Sequence, residues 1–220
     1  MAKREFLYTE DYFERGIESG LSLYENFRWL PDLTIPMVKV IIERLNILLD
    51  DSKILDFGCA KGFIVKAFME LGFRNVWGVD ISQYAVDNAD PDVKLKIILN
   101  ENFKKINLDA KYFDFIISKD TLEHLTKNEL DFYLKELGRL TKPHGKHLHV
   151  IPIGDGKRYN CPDYEKDATH IIKEDIDWWM RKFQDHNYKI RLATYRMEGI
   201  KDNWYEPCPE GNGFFILEKF

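Results

Sequence analysis

Apolar positions along the chain follow two spacings that take turns. From Thr34 onward Val38, Ile41, Ile42, Leu45, Leu48 and Leu49 recur at helical intervals; Thr34 is the expected cap and Asp50-Asp51-Ser52 the expected end. Residues 53–57 (KILDF) then form a short strand-like run broken at Gly58. Ile64, Ala67, Phe68 and Leu71 predict a second helix, with Gly72 just past its end. A second strand is read over 75–79 and stops at Asp80, and Ser82 caps a helix that reaches about Asn88. Strands follow at 94–99 and at 113–118, the latter nearly all apolar, as a strand covered on both faces should be. Thr126-Lys127-Asn128-Glu129 has the capping-box spacing, with Leu130, Tyr133, Leu134 and Leu137 as the stripe behind it. A turn at Lys142-Pro143-His144-Gly145 leads into a fifth strand at 146–151. Ile176, Trp179, Met180 and Phe183 mark a last helix, before strands at 188–195 and 214–220 with no helix between them.

Strands alternating with helices predict an α/β fold, a doubly wound and mostly parallel sheet with right-handed crossovers. The last two strands, lacking a helical connection, predict an antiparallel hairpin at one edge. The first 33 residues differ from the rest, mixing Phe6, Tyr8, Tyr12, Phe13, Tyr24, Phe27 and Trp29 with charges up to the turn signal Pro31-Asp32. The expected organisation is one domain over 1–220: an N-terminal helical and aromatic cap (1–50) on a core (51–220), with an irregular loop at about 152–172.

Composition narrows the function. With 220 residues and 45% hydrophobic content the chain can bury a core, which excludes intrinsic disorder. Lys plus Arg number 32 against 37 Asp plus Glu, a net charge of −5, and this argues against a protein that grips a nucleic-acid backbone. Cys59, Cys161 and Cys208 are too few and too scattered for a disulfide framework or zinc knuckle, and Cys161 reads as incidental. The opening residues lack the apolar stretch of a signal peptide, and no apolar run reaches the roughly 20 residues of a membrane span. The expectation is a soluble, cytoplasmic protein in a reducing compartment.

The sharpest local signal is ILDFGCAKGF at 54–63, at a strand-to-helix turn. Gly58 permits the tight turn and Gly62 allows close approach of backbone to a ligand. Asp80, at the end of the second strand, can accept hydrogen bonds from ribose hydroxyls. A dinucleotide site needs G-x-G-x-x-G, whereas here the spacing is G-x-x-x-G with Ala60 between. A nucleoside-containing ligand other than a dinucleotide is indicated.

With these residues in place the chain resembles the class I S-adenosylmethionine-dependent methyltransferases. LDFGCAKGF matches their glycine motif, with Ala60 where the middle glycine is usual, and VDIS (79–82), FDFIISKDTLEHL (113–125) and LTKPHGKHLHV (140–150) follow in the family's order. The resemblance covers roughly residues 50 to 151, and beyond them it is one of topology. It implies a seven-stranded Rossmann-like sheet with a reversed last strand, and S-adenosylmethionine as cofactor. It also implies a cofactor site formed by Asp56, Gly58, Cys59, Ala60, Gly62, Phe63, Asp80 and Ile81. Asn102 and Phe103 would border the adenine, Asn102 standing in for the usual acid. Ser118 and Lys119 would pass beneath the sulfonium through their backbone, and Arg28, in an aromatic N-terminal lid, would pair with the cofactor carboxylate.

For catalysis, His170 is the first candidate base, in the irregular loop at the acceptor end of the sheet, and His124 is the second. A histidine bonded to nearby loop backbone is the competing reading of His170. Asp120, Glu123 and His124, spaced i, i+3, i+4, would share one helical face. Some methyltransferases of RNA ends and of quinone precursors carry a similar cluster with a divalent ion, but Leu-Glu-His also occurs in relatives without metal, and no metal is assigned here. His147 and His149 alternate onto one sheet face without a third ligand, and Trp178, Trp179 and Trp204 read as packing. The resulting expectation is methyl transfer to O or N of a small polar acceptor, sugar-like in view of the polar loop. The alternatives are an RNA or protein acceptor, or a non-catalytic cofactor-binding protein.

Overall fold

The computed structural model describes residues 7–49, 51–101 and 104–220. Seven strands form one sheet: β1 (Ile54–Phe57), β2 (Val76–Asp80), β3 (Ile97–Leu99), β4 (Phe113–Lys119), β5 (Thr141–Pro152), β6 (Tyr188–Thr194) and β7 (Asn212–Lys219). Their spatial order is β3-β2-β1-β4-β5-β7-β6. Every pairing from β3 to β5 is parallel, and β7 runs antiparallel to both β5 and β6. This is the predicted sheet with its reversed final strand. The chain winds outward from β1 to β3, then returns to lay β4 on the other side of β1. The carboxyl ends of β1 and β4 therefore flank a topological switch point, where open α/β sheets hold their ligands.

Two layers of helix cover the sheet. Side chains alternate across β1, so Ile54 packs with α3 (Pro31–Leu45) and α4 (Phe63–Glu70) on one face, while Leu55 packs with α6 (Lys127–Leu140) and α7 (Ile176–Asp185) on the other. Val38, Ile41, Leu45, Val65 and Phe68 fill the first interface; Leu130, Leu134, Leu137, Trp179 and Phe183 fill the second. Local chemistry sets the ends of α6 and α7. Thr126 and Glu129 complete the predicted capping box of α6, and Asp175 caps α7 through Trp178 N.

The boundaries of three elements differ most from the sequence reading. Helix α3 starts at Pro31, which occupies the first turn, where its missing N–H costs nothing; Thr34 is inside the helix rather than its cap. It stops at Leu45 because Asn46 turns left-handed (φ 56°), leaving Leu48 and Leu49 exposed beyond it. Residues 94–96 form a 3-10 turn, so β3 starts only at Ile97. Strand β5 begins five residues early: Thr141 pairs with Phe113 and Lys146 with Phe115, the intervening residues being absorbed by an irregularity.

Two short helices, α1 (Glu10–Glu14) and α2 (Gly16–Ser19), lie in the aromatic segment that precedes α3. Among the described residues, no helix is long and apolar enough to cross a membrane. One expectation is corrected outright: Cys161 and Cys208 form a disulfide across 47 residues of sequence, with Cα atoms 5.3 Å apart, and Cys59 is free and buried. Sequence separation hid this, because the partners lie on two loops that meet beside the end of β7. There Tyr164 stacks on Trp204 and donates its hydroxyl hydrogen to Asn212 Oδ1 at 2.6 Å.

Candidate functional site

A cavity of about 480 Å³ opens at the carboxyl ends of β1, β2 and β4. One end is made by the turn between β1 and α4. Gly58 and Gly62 are left-handed (φ 81° and 82°), and a Cβ on Gly58 would run into the Thr121 side chain, so glycine is required there on both counts. The Gly58 and Cys59 amides donate to the Val79 carbonyl at 2.8 and 3.1 Å, which pins the turn to β2. Ala60, where the usual motif has glycine, is also left-handed (φ 48°). Its strain is held by the next strand, because the Ala60 amide donates to Asp80 Oδ2 at 2.7 Å while Ser82 N donates to Oδ1 at 2.8 Å.

Asp80 thus locks the glycine turn as well as lining the cavity, a structural duty that the sequence did not reveal. Backbone N–H groups do not exhaust the acceptor capacity of its two oxygens, which leaves room for a ligand donor. Burial raises its pKa, opposed by the N–H bonds from Ser82, Ala60 and Ile81. Asp56, on β1 beneath it, is 1% exposed and lines the same wall, and its Oδ2 has no hydrogen-bond partner. Burial, reinforced by the nearby Asp80, pushes its carboxyl up to about 8. An orphaned buried carboxylate facing a cavity is a receptor for a donor group or a positive charge.

The aromatic segment closes this end. Tyr12, Phe13, Tyr24 and Phe27 pack edge and face with one another and reach the core through the contact of Phe27 with Phe63, centroids 5.1 Å apart. Three polar ties fix it. Ser82 Oγ donates to the Tyr8 carbonyl at 2.6 Å, Lys61 pairs with Glu14 and donates to the Phe27 carbonyl, and Tyr12 Oη donates to Asp167 Oδ2 at 2.8 Å. Arg28 stands exposed at the cavity rim.

Of the other residues expected in the cofactor site, Cys59, Phe63, Ile81 and Lys119 line the cavity with Asp56, Gly58, Ala60 and Asp80. Gly62 and Ser118 are set back from it: Ser118 is fully buried and its Oγ meets His149 Nδ1 at 2.7 Å. Asn102 and Phe103 lie outside the described residues. Asn100, immediately after β3, is in the wall and donates to Tyr133 Oη at 3.0 Å. Sequence reasoning passed over it, although a polar residue closing a parallel strand is the same signal that singled out Asp80.

At the other end the wall is Lys119, Asp120, Thr121 and His124. The expected helical face of Asp120, Glu123 and His124 does not form. Asp120 is left-handed (φ 52°) and only Leu122–His124 make a single 3-10 turn. Asp120 turns away to pair with Lys119 and Lys201; against the opposing effect of burial, these two ammonium groups hold its carboxyl below the usual range. In its place comes His170, which stands behind His124 with ring centroids 4.6 Å apart and does not line the cavity. The Glu123 carbonyl accepts from both Ile171 N and Ile172 N at 2.9 Å, which clamps the irregular loop onto the turn. Glu123, His124 and His170 offer ligand atoms that all lie within 4.8 Å of one another. Burial, followed by repulsion from His170, lowers His124 to about 4; burial also lowers His170, and it raises Glu123 together with the charge of Asp120.

Comparison with known proteins gives this geometry its context. Residues 55–149 match the family described as Methyltransferase domain. The chain is 33% identical over 100 residues to the ubiquinone biosynthesis O-methyltransferase of Pelagibacter ubique, covering 44% of this chain and 40% of that protein. It thus spans well under two thirds of that relative. It is 24% identical over 189 residues to EEF1A lysine methyltransferase 2 of Danio rerio, covering 76% of this chain and 78% of that protein. In fold it is similar to the S-adenosylmethionine-dependent methyltransferase of Clostridium acetobutylicum, with a TM-score of 0.63 at 14% identity over 84% of this chain and 92% of that one. The family match spans the glycine turn, Asp80 and most of the first five strands, and the reversed β7 completes the same topology beyond it. Motif order and sheet together agree with the class I, Rossmann-like, S-adenosylmethionine-dependent methyltransferases: residues 55–149 match a methyltransferase domain, and the seven-stranded sheet with its reversed β7 has the fold of those enzymes.

Proposed function

We propose that the chain transfers a methyl group from S-adenosylmethionine to an oxygen or nitrogen of a small polar acceptor that enters the same cavity. The observation that carries this reading is the pair of carboxylates at the glycine-turn end. Asp56 is buried with an unpartnered oxygen, and Asp80 keeps free lone pairs after locking the turn. Such a pair fits a ligand that brings both a cationic amino group and a ribose. Asp56 would take the ammonium, Asp80 the ribose hydroxyls, and Arg28 at the rim the carboxylate. The glycine turn would supply backbone contact. When bound, the cofactor supplies a methyl group on a positively charged sulfur.

The chain's own contribution is positioning and exclusion of water. The aromatic cap closes the glycine-turn end and reaches across to the other end through Tyr12, its ties to Lys61, Ser82 and Asp167 holding it over the pocket. The polar corner of Lys119, Asp120, Thr121 and His124 is where the acceptor's reacting group would sit. An amine need only arrive neutral, whereas a hydroxyl needs its proton loosened.

Calorimetry with S-adenosylmethionine and with NAD is the first test. Micromolar binding of S-adenosylmethionine alone is expected; binding of NAD alone defeats the reading. A methyl-transfer screen over sugar nucleotides, amino sugars, phenols, small RNAs and lysine peptides, read by product mass, then identifies the acceptor. A product on RNA or peptide only would replace the small-molecule assignment, and cofactor binding with no product on any acceptor would leave a non-catalytic binder.

A further inference from the structure

Glu123 is fully buried, and neither of its carboxylate oxygens has a hydrogen-bond partner among the described residues. Two imidazole nitrogens face it instead: His170 Nε2 at 3.7 Å and His124 Nε2 at 3.9 Å from Oε1. The hydrogen bonds on the far side of each ring decide what those nitrogens carry. His170 Nδ1 is 2.8 Å from the Tyr164 carbonyl, which can only accept, so the proton is on Nδ1. His124 Nδ1 is 2.8 Å from Thr169 Oγ1, and that hydroxyl spends its own hydrogen on Asp167 Oδ1 at 2.6 Å. Thr169 therefore accepts, and the His124 proton is on Nδ1 too. Both neutral rings thus present a bare Nε2 lone pair to a buried carboxylate.

Three acceptors converging with nothing to accept from is an unfavourable arrangement unless something positive sits between them. A proton on Glu123 does not resolve it, because gaps of 3.7 and 3.9 Å exceed hydrogen-bond reach and one proton serves only one ring. A metal ion does: bonds of about 2.0–2.2 Å place neighbouring ligand atoms roughly 3–4 Å apart. The outward bonds from each Nδ1 to a carbonyl and to a threonine backed by a carboxylate are the supports that orient metal-binding histidines. Asp120 is not in the set, since Lys119 and Lys201 occupy it.

We propose that Glu123, His124 and His170 bind one divalent first-row transition ion, of the zinc, iron or manganese class, in the wall at the acceptor end of the cavity. Two imidazoles with one carboxylate suit these ions, whereas magnesium and calcium take oxygen ligands. His124 is the ligand that reaches the cavity surface, so the open coordination positions lie toward the acceptor. On the function proposed above, an acceptor hydroxyl bound there has its proton loosened by the ion rather than by a histidine base.

The test uses the whole chain, stripped with chelator and titrated with Zn²⁺, Mg²⁺ and Co²⁺ in the absence of cofactor and acceptor. One Zn²⁺ per chain with a Kd at or below about 1 μM, no comparable Mg²⁺ binding, and a Co²⁺ visible absorption band are expected. Glu123→Gln and His170→Gln should each weaken Zn²⁺ binding by about 100-fold or more, while Glu174→Gln, on the surface, leaves it unchanged. Metal-free thermal melts establish that the variants fold; a variant that does not is replaced by the other. Zn²⁺ binding that is only millimolar, that survives Glu123→Gln, or that Mg²⁺ equals overturns the site. Because the readout needs neither methyl donor nor acceptor, its failure is separate from failure of the methyl-transfer screen.

Discussion

The two ends of the cavity are built by opposite means. The glycine-turn end comes from neighbouring parallel strands: β1 leads into Gly58–Gly62, β2 ends in Asp80, and hydrogen bonds between adjacent strand ends hold the parts. The acceptor end gathers a single turn after β4 and a loop some 45 residues later, joined by the Glu123 carbonyl and by the link from His124 through Thr169 to Asp167. Tyr12 of the cap reaches over to bond that same Asp167. The first end is backbone geometry with two carboxylates set in it. The second is a side-chain network that exists only once distant segments have docked. A binding pocket for a common cofactor needs the first kind of construction, and choice of acceptor can be placed on the second without disturbing it.

The largest effect should come from breaking the first end. Asp80→Ala removes the acceptor of the Ala60 and Ser82 amides along with the two charge-assisted bonds proposed for a ribose. At about 1.5–3 kcal/mol each, cofactor affinity measured by calorimetry should fall at least 100-fold. Unchanged affinity would remove Asp80 from the ligand site. Asp80→Asn, which keeps one carbonyl oxygen, should lose less.

Asp56 tests the same end through pH. Its folded-state pKa is raised to about 8 from an unfolded value near 3.9, so the folded chain holds this proton more tightly. The stability this contributes is fully present below about pH 4 and is lost as pH rises toward 8, an effect on the order of a few kcal/mol. Asp56→Asn should flatten that part of a denaturant-derived stability profile. An identical profile in the variant would show that Asp56 is already ionised near neutrality.

Tyr12→Phe turns to the second end and its tie to the cap. Losing the buried bond to Asp167 should cost about 1.5–3 kcal/mol of stability in denaturant unfolding. If the two ends are as separate as their construction indicates, cofactor affinity should change far less than after Asp80→Ala; an equal loss would merge them. The smallest effect is expected at Ala60→Gly, which relieves a left-handed alanine (φ 48°) at the cost of a more flexible unfolded chain. A rise in thermal stability of up to about 1 kcal/mol is expected, and a fall would mean the turn is not strained.

The difference in construction also explains what could be read in advance. The alternation of strands and helices, the hairpin at the sheet's end, the capping box at Thr126 and the turn at Gly58–Gly62 all follow from spacing and residue type within a few positions. Where an element's end depended on a left-handed residue, as at Asn46, apolar periodicity ran past it to Leu48 and Leu49. The same left-handed geometry at Asp120 undid the helical face expected for Asp120, Glu123 and His124. That His170 would come to stand beside Glu123 and His124 could not be read from a loop without periodicity. The Cys161–Cys208 bond was missed for the same reason.

By itself, then, the sequence determined the sheet, its winding and the glycine turn at one end of the cavity, because hydrophobic period and turn chemistry act over a few residues and parallel strands bring successive loop ends together by rule. Only the tertiary structure decided the acceptor end. Which lone pairs face one another at Glu123, His124 and His170, and which charges Lys119 and Lys201 neutralise, depends on the docking of segments whose separation along the chain carries no local signal.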